Sequence, residues 1–168
     1  MKAMKDKTAD QTLCPVARAE DLVGDRWTVL VLRELFMRMH RFEEIQAQTG
    51  ATPQMITARL KKLEAGGLVQ RRIYNKRPVR HEYHLTEKGE AFYPVILALR
   101  AWGEAWCKSP REGLAMSHTH RICGNPAGLG PVCESCGKPL RRDDLIAEQA
   151  PKYRKEREAR RDAFKAGR

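Results

Sequence analysis

His120, Cys123, Cys133 and Cys136 carry the most legible chemistry of this chain. His120-x-x-Cys123 and Cys133-x-x-Cys136 are two close pairs of donors, separated by a loop that holds Gly124, Pro126, Gly128, Gly130 and Pro131. Two such pairs on tight turns can close a tetrahedron of one nitrogen and three sulfurs, the geometry and ligand softness that zinc prefers. A glycine follows each pair, Gly124 and Gly137, and the spacing is that of a zinc ribbon or knuckle. His118 competes for the histidine position, but only His120 keeps the two-residue gap. Two other readings stand beside zinc. One is three reduced cysteines docked on a main domain; the other is a thiol–disulfide redox pair at Cys133 and Cys136, without the strand and helix context such pairs use.

Cys14 precedes Pro15 at the start of the first predicted helix. A helix N-terminus favours the thiolate, so Cys14 is a candidate redox sensor, weighed against the commoner fate of a merely buried thiol. Cys107 falls near the end of a long predicted helix and lacks that placement. His40, His81 and His84 have no carboxylate or serine nucleophile in a recognisable relation to them, and no glycine-rich phosphate loop joins a strand to a helix. No catalytic site is therefore expected.

A chain of 168 residues is one domain, or one domain with a small appendage. Its five cysteines, an odd number, do not suit a secreted disulfide framework. No apolar run approaches a membrane span, and the polar start Met1-Lys2-Ala3-Met4-Lys5-Asp6 leads into no signal-peptide core, which points to the cytoplasm and no membrane partner. Residues 1–12 lack periodicity and read as a mobile arm. Helices are expected from Pro15 to Val23 and from Arg26 to Met37, the second burying Trp27, Leu30, Val31 and Leu35.

Arg41 to Thr86 holds the syntax of a winged helix-turn-helix. A short amphipathic helix opens at Arg41-Phe42-Glu43-Glu44-Ile45 and turns through Thr49-Gly50-Ala51-Thr52. The next helix has Thr52 as its cap and Pro53 at its first position. Ile56, Leu60 and Leu63 form its inward stripe, while Gln54, Thr57, Ala58, Lys61 and Lys62 face out as the reading face of a recognition helix. Gly66-Gly67 ends it. Strand-like runs from Leu68 to Tyr74 and from Arg80 to Leu85 then flank residues 75–79 as the tip of a hairpin wing. Between residues 59 and 80 eight cations stand against Glu64 alone, a net +7 out of +11 for the chain. A local excess of this kind is what phosphate neutralisation requires, because affinity comes from released counterions.

These residues resemble the HxlR family of bacterial transcriptional regulators. The resemblance is carried by Cys14-Pro15, Gly24-Asp25-Arg26-Trp27-Thr28, Leu32-Arg33-Glu34-Leu35, Arg41-Phe42, Thr57-Ala58-Arg59-Leu60, Leu63-Glu64 and Gly67-Leu68-Val69. It continues through Pro78, Glu82-Tyr83, Leu85-Thr86, Gly89 and Trp102, in family order to about Trp106. It implies a dimeric winged-helix protein without enzymatic activity, acting by local repression, and raises the case for Cys14 as a sensor of oxidants or electrophiles. One departure is visible. Where the family has glycine in the turn before Arg-Phe, this chain reads Arg38-Met39-His40, although only glycine takes a left-handed helix end at little cost.

The fold class expected is mainly α with a small β-hairpin wing, a winged helix-turn-helix over residues 13–108, followed by a zinc-ribbon-like Cys/His segment over 109–150. After the wing, a helix capped by Thr86 should run from Glu87 toward Cys107, reset near Pro94. Its apolar residues exceed what one small domain must cover, so a homodimer is expected, built on this helix or the first one. Residues 151–168 carry eight cations against Glu156, Glu158 and Asp162 without an apolar stripe, and read as a frayed basic helix or disordered tail. On double-stranded DNA, Gln54 would bond adenine edges, Met55 or Thr57 would touch thymine methyls, and Arg59 and Lys61 would meet phosphate or guanine. Arg77 would reach the minor groove or nearby backbone from the wing tip, Arg41 would hold phosphate, and Thr52, Lys76 and Arg80 complete the expected contact surface. The rival from another class is a zinc-dependent RNA-binding module built on the cysteines and the basic tail. A small-molecule or electrophile effector is the remaining expected partner.

Overall fold

The computed structural model describes residues 12–167, so the arm expected over residues 1–12 lies, except for Thr12, outside the described residues. Helix α1 (Pro15–Val23) starts on a proline and stops at Gly24. Helix α2 (Arg26–Phe36) is capped by Asp25, whose carboxylate accepts from the Trp27 and Thr28 amides at 3.1 Å each. Helix α3 (Phe42–Thr49) closes its first turn when the Glu44 carboxylate accepts from the Arg41 amide at 3.0 Å. Helix α4 (Pro53–Ala65) is capped by Thr52, whose hydroxyl accepts from the Met55 amide at 3.3 Å. In α2, α3 and α4 side chains thus supply partners for donors that a helix start leaves unpaired.

The helices meet in a core of Val31, Leu32, Leu35, Ile45, Ile56, Leu60 and Leu63, all buried. Along α2, Val31 and Leu35 are buried as expected, whereas Trp27 and Leu30 are half-buried. Strands β1 (Val69–Lys76) and β2 (Val79–Leu85) pair antiparallel, with Val69 opposite Leu85 and Lys76 opposite Val79. The pairing runs further into the hairpin than Tyr74 and Arg80, leaving Arg77 and Pro78 as the tip. His40 joins the wing to the body, its carbonyl accepting from the Tyr83 amide at 2.8 Å.

The Arg38-Met39-His40 turn takes the left-handed conformation without a glycine: Arg38 has φ 65°. Such a conformation costs a side-chain-bearing residue about 1–2 kcal/mol. Contacts on both sides hold it. The Arg38 amide donates to the Leu35 carbonyl at 3.0 Å, and its guanidinium pairs with Asp143.

The helix expected from Glu87 to Cys107 is two helices, α5 (Glu87–Glu90) and α6 (Tyr93–Trp106). The break falls just before Pro94, which lacks an amide donor and is tolerated in the opening turn of α6. On α6, Tyr93 and Leu97 are buried, whereas Val95, Leu99, Trp102 and Trp106 are 45, 47, 60 and 77% exposed. Among the described residues no helix is long and apolar enough to cross a membrane.

The C-terminal part is built on strands β3 (Met116–His120) and β4 (Leu145–Gln149), antiparallel with His120 opposite Leu145. Ala127, Cys133, Leu140 and Leu145 are its buried centre. Helix α7 (Pro151–Ala166) follows: of the two forms expected here, a frayed basic helix or a disordered tail, the segment takes the helix, and it is docked rather than frayed. It packs on α2 and α3 through a polar clamp. The buried Arg157 guanidinium meets the fully buried Glu34 carboxylate through two bonds of 3.1 and 2.5 Å, while Gln48 Nε2 donates to the Arg157 carbonyl at 2.9 Å. Arg160 adds a bond to the Gln48 carbonyl at 3.1 Å.

Candidate nucleic-acid interface and metal centre

The outer face of α4 presents Gln54, Met55, Thr57, Lys61 and Lys62, all exposed. Inward-facing Ile56, Leu60 and Leu63 fix the rotation of the helix, because turning them outward would expose the core. Two threonines of the expected contact set are engaged locally: Thr52 caps the helix, and the Thr57 hydroxyl donates to the Pro53 carbonyl at 2.8 Å. Their hydroxyls serve the backbone, which leaves Gln54 as the exposed polar side chain on the first turn whose hydrogen-bonding groups are free among the described residues.

The cations divide into two groups. Lys61, Lys62, Arg72, Lys76, Arg77 and Arg80 are exposed, and none pairs with a carboxylate of the described residues. Arg59, Arg71 and Arg41 do pair, with Asp25 at 2.8 Å, Glu64 at 2.8 Å and Glu82 at 3.2 Å respectively. The bond from Glu82, helped by its charge, raises the affinity of Arg41 for its proton, and Arg41 in turn holds the Glu82 carboxyl below its ordinary value. Arg59 departs most from the sequence expectation. It is half-buried and joins α4 to the cap of α2, so its present geometry braces the recognition helix. Arg41 also lies over the Tyr74 ring, 4.5 Å from its centroid, tying α3 to the wing.

The second cluster is the Cys/His group. Two equivalent turns present it: the Gly124 amide donates to the His120 carbonyl at 2.8 Å, and the Gly137 amide to the Cys133 carbonyl at 2.8 Å. Both glycines are left-handed, with φ of 70° and 72°, which explains their position one residue past each donor pair. The turns bring His120 Nδ1 and the sulfurs of Cys123, Cys133 and Cys136 within 4.8 Å of one another. His120 Nδ1 lies 3.5 Å from Cys123 Sγ and 3.3 Å from Cys136 Sγ, and Cys123 Sγ lies 3.8 Å from Cys133 Sγ. A tetrahedral zinc with bonds of about 2.0 Å to nitrogen and about 2.3 Å to sulfur would have edges of about 3.5 and 3.8 Å. The four atoms fit that metal in number and type, and these three edges match it in length.

The ligand thiols shift in opposite directions: at Cys136 the Lys138 amide pulls the thiol down, but burial and the thiols of Cys133 and Cys123 outweigh it and hold it above its ordinary value. Burial pushes the Cys133 thiol up, but the amides of Cys136 and Ser135 and the neighbouring thiols outweigh it and bring it down to about 7. His120 Nε2 is buried without a hydrogen-bond partner, and Nδ1 meets only thiols. His118 stands outside the group, its Nδ1 bound to Arg100 at 2.8 Å. Cys14 is exposed at the cap of α1, and all five cysteines are free.

Sequence reasoning did not find Arg100, Arg157 or Glu34. Arg100 shares helical spacing with Tyr93, Leu97 and Glu104, and a cation in that inward series was the available signal. Glu34 and Arg157 are 123 residues apart and no local pattern links them.

Comparison with known proteins bears on the helix-turn-helix. The sequence profile of the HxlR-like helix-turn-helix matches residues 22–111. An uncharacterized HTH-type transcriptional regulator of Mycobacterium tuberculosis, Rv3095, is 35% identical over 139 residues, covering 83% of this chain and 87% of that protein. The crystal structure of PA1607, a candidate transcription factor, superposes with a TM-score of 0.64 at 33% identity, over 84% of this chain and 98% of its own. The redox regulator HypR in its oxidized form superposes with a TM-score of 0.52 at 34% identity, over 55% of this chain and 96% of its own. The similarity to Rv3095 and to PA1607 reaches well past the helix-turn-helix.

Proposed function

This chain belongs to the HxlR-like helix-turn-helix family, and from that premise we propose that it is a sequence-specific repressor that binds operator DNA as a homodimer. The observation that carries the reading is the exposed polar face of α4 flanked by six unpaired cations on α4 and the wing. On this reading α4 enters the major groove, Gln54 reads an adenine edge, and Met55 and Thr57 contact thymine methyls. Lys61, Lys76, Arg77 and Arg80 neutralise phosphates, with Arg77 at the wing tip reaching furthest along the duplex. Thr52, Arg59 and Arg41 act mainly by holding α4, α3 and the wing in register.

The exposed α6 stripe of Val95, Leu99, Trp102 and Trp106 supports a two-fold interface, which would place two α4 helices on successive grooves. Zinc in the site of His120, Cys123, Cys133 and Cys136 would tie the two turns to β3 and hold a unit with few buried apolar residues. The likeness to HypR, itself a redox regulator, supports Cys14 as a thiol sensor of oxidants or electrophiles. The cytoplasm is the compartment that suits free thiols.

Selection of genomic fragments on the full-length protein tests the reading. Recovery of a two-fold symmetric sequence, bound by a dimer, is the expected result. Fragments without a shared sequence would overturn it.

A further inference from the structure

A cavity of about 770 Å³ lies between α2, α6 and the β3–β4 unit. Small-molecule sites typically span about 300–1,000 Å³. Its apolar wall includes Leu30 and Phe36 of α2 and Tyr93, Ile96 and Leu99 of α6. Gly103 lies in the same wall, and a Cβ there would meet nothing within 4 Å.

Three arginines line this cavity: Arg33 of α2, which pairs with Glu34 at 2.6 Å, Arg100 of α6, and Arg142 of the 3-10 turn Arg142–Asp144. Arg100 donates to the Met116 carbonyl at 2.6 Å, to His118 Nδ1 at 2.8 Å and at longer range to the Leu129 and Gly128 carbonyls at 3.4 and 3.5 Å; Arg142 donates to the Phe36 carbonyl at 2.6 Å. None of these acceptors is an anion, and no described carboxylate pairs with either guanidinium. Glu104, the carboxylate in the wall, is already held by Lys108 Nζ at 2.7 Å and by the Ala115 amide at 3.2 Å. A partly buried guanidinium without a counter-ion is costly, and its planar donor fork matches a carboxylate.

We propose that this cavity binds a small organic carboxylate with a flat apolar body, its carboxylate on Arg100 and Arg142 and its body against Leu30, Phe36 and Ile96. As an effector site this rests on the regulator reading. Its walls come from α2, which packs on the recognition helix, and from the Cys/His unit, so an occupant that favours one arrangement of the two shifts operator affinity.

Calorimetric titration of the full-length, metal-replete protein with 2-naphthoate tests it, with neutral 2-naphthylmethanol as control. Naphthoate should bind at least about tenfold more tightly than the alcohol, the effect of one charge-assisted hydrogen bond. Arg142→Gln should lose that preference. Gly103→Leu fills open space on a helix, so it should keep the helical content and lose binding of both compounds. Equal binding of acid and alcohol, no naphthoate binding at millimolar concentration, or binding retained by a folded Gly103→Leu protein overturns the proposal. Operator affinity is measured separately on the same samples. Protein that binds operator but not naphthoate rejects only the cavity; protein that binds naphthoate but no DNA rejects only the regulator reading.

Discussion

Replacing Arg157 by alanine should destabilise the protein by about 3 kcal/mol and release α7 from α3. The guanidinium gives two charge-assisted bonds, of 3.1 and 2.5 Å, to a Glu34 carboxylate with no solvent exposure. Removing one partner of a buried pair typically costs about 3–5 kcal/mol, because the remaining charge stays buried. Arg33 Nη2 still holds Glu34 Oε1 at 2.6 Å, which argues for the lower end of that range. In a protein of this size each kcal/mol moves Tm by about 2–4 °C, so a fall of roughly 6–12 °C is expected. Thermal melts followed by circular dichroism give the magnitude, and limited proteolysis shows whether cleavage begins within residues 151–166. The double replacement Glu34→Met, Arg157→Met should recover most of the loss, since paired charges exchanged for packed apolar chains are often neutral. A fall in Tm below about 2 °C for Arg157→Ala, with α7 still protected, would refute the clamp.

Purified protein should carry about one zinc per subunit, and chelation should expose residues 115–145 to protease before the winged part. His120→Ala should lose the metal and His118→Ala should keep it; metal analysis giving the reverse order would reassign the nitrogen ligand. Mild oxidant should change operator affinity of the parent protein, with Cys14→Ser indifferent at equal zinc content, and an equal response of both would place sensing elsewhere. Leu99→Glu together with Trp102→Glu should give a monomer in sedimentation experiments. A dimer unchanged by both substitutions would move the interface off α6.

The parts of this fold legible in the sequence are those whose causes are local. Thr52-Pro53 and the Ile56, Leu60, Leu63 stripe define α4 within a few turns, and the two donor pairs with their glycines define the Cys/His cluster. Contacts between distant charged residues were not legible. Arg59 in a basic run reads as a DNA contact until Asp25 appears beside it, and Arg157 reads as solvated tail until the buried Glu34 supplies its partner. Side-chain charge signals exposure in a sequence, and only tertiary pairing reverses that signal. The end of α5 was half legible: Pro94 marks the interruption, but whether the chain bends or starts a new helix depends on what Tyr93 and Leu97 pack against.

The salt dependence of operator binding tests the central claim most directly. Affinity for a selected genomic fragment is measured across a salt series for the parent protein and for the double variant Lys61→Ala, Arg77→Ala. Each neutralised phosphate contributes about 0.9 to the slope of log affinity against log salt, so the variant should lose about 1.8 from the slope and bind weakly. Unchanged slope and affinity, in a variant that remains folded, would contradict a DNA interface built from α4 and the wing.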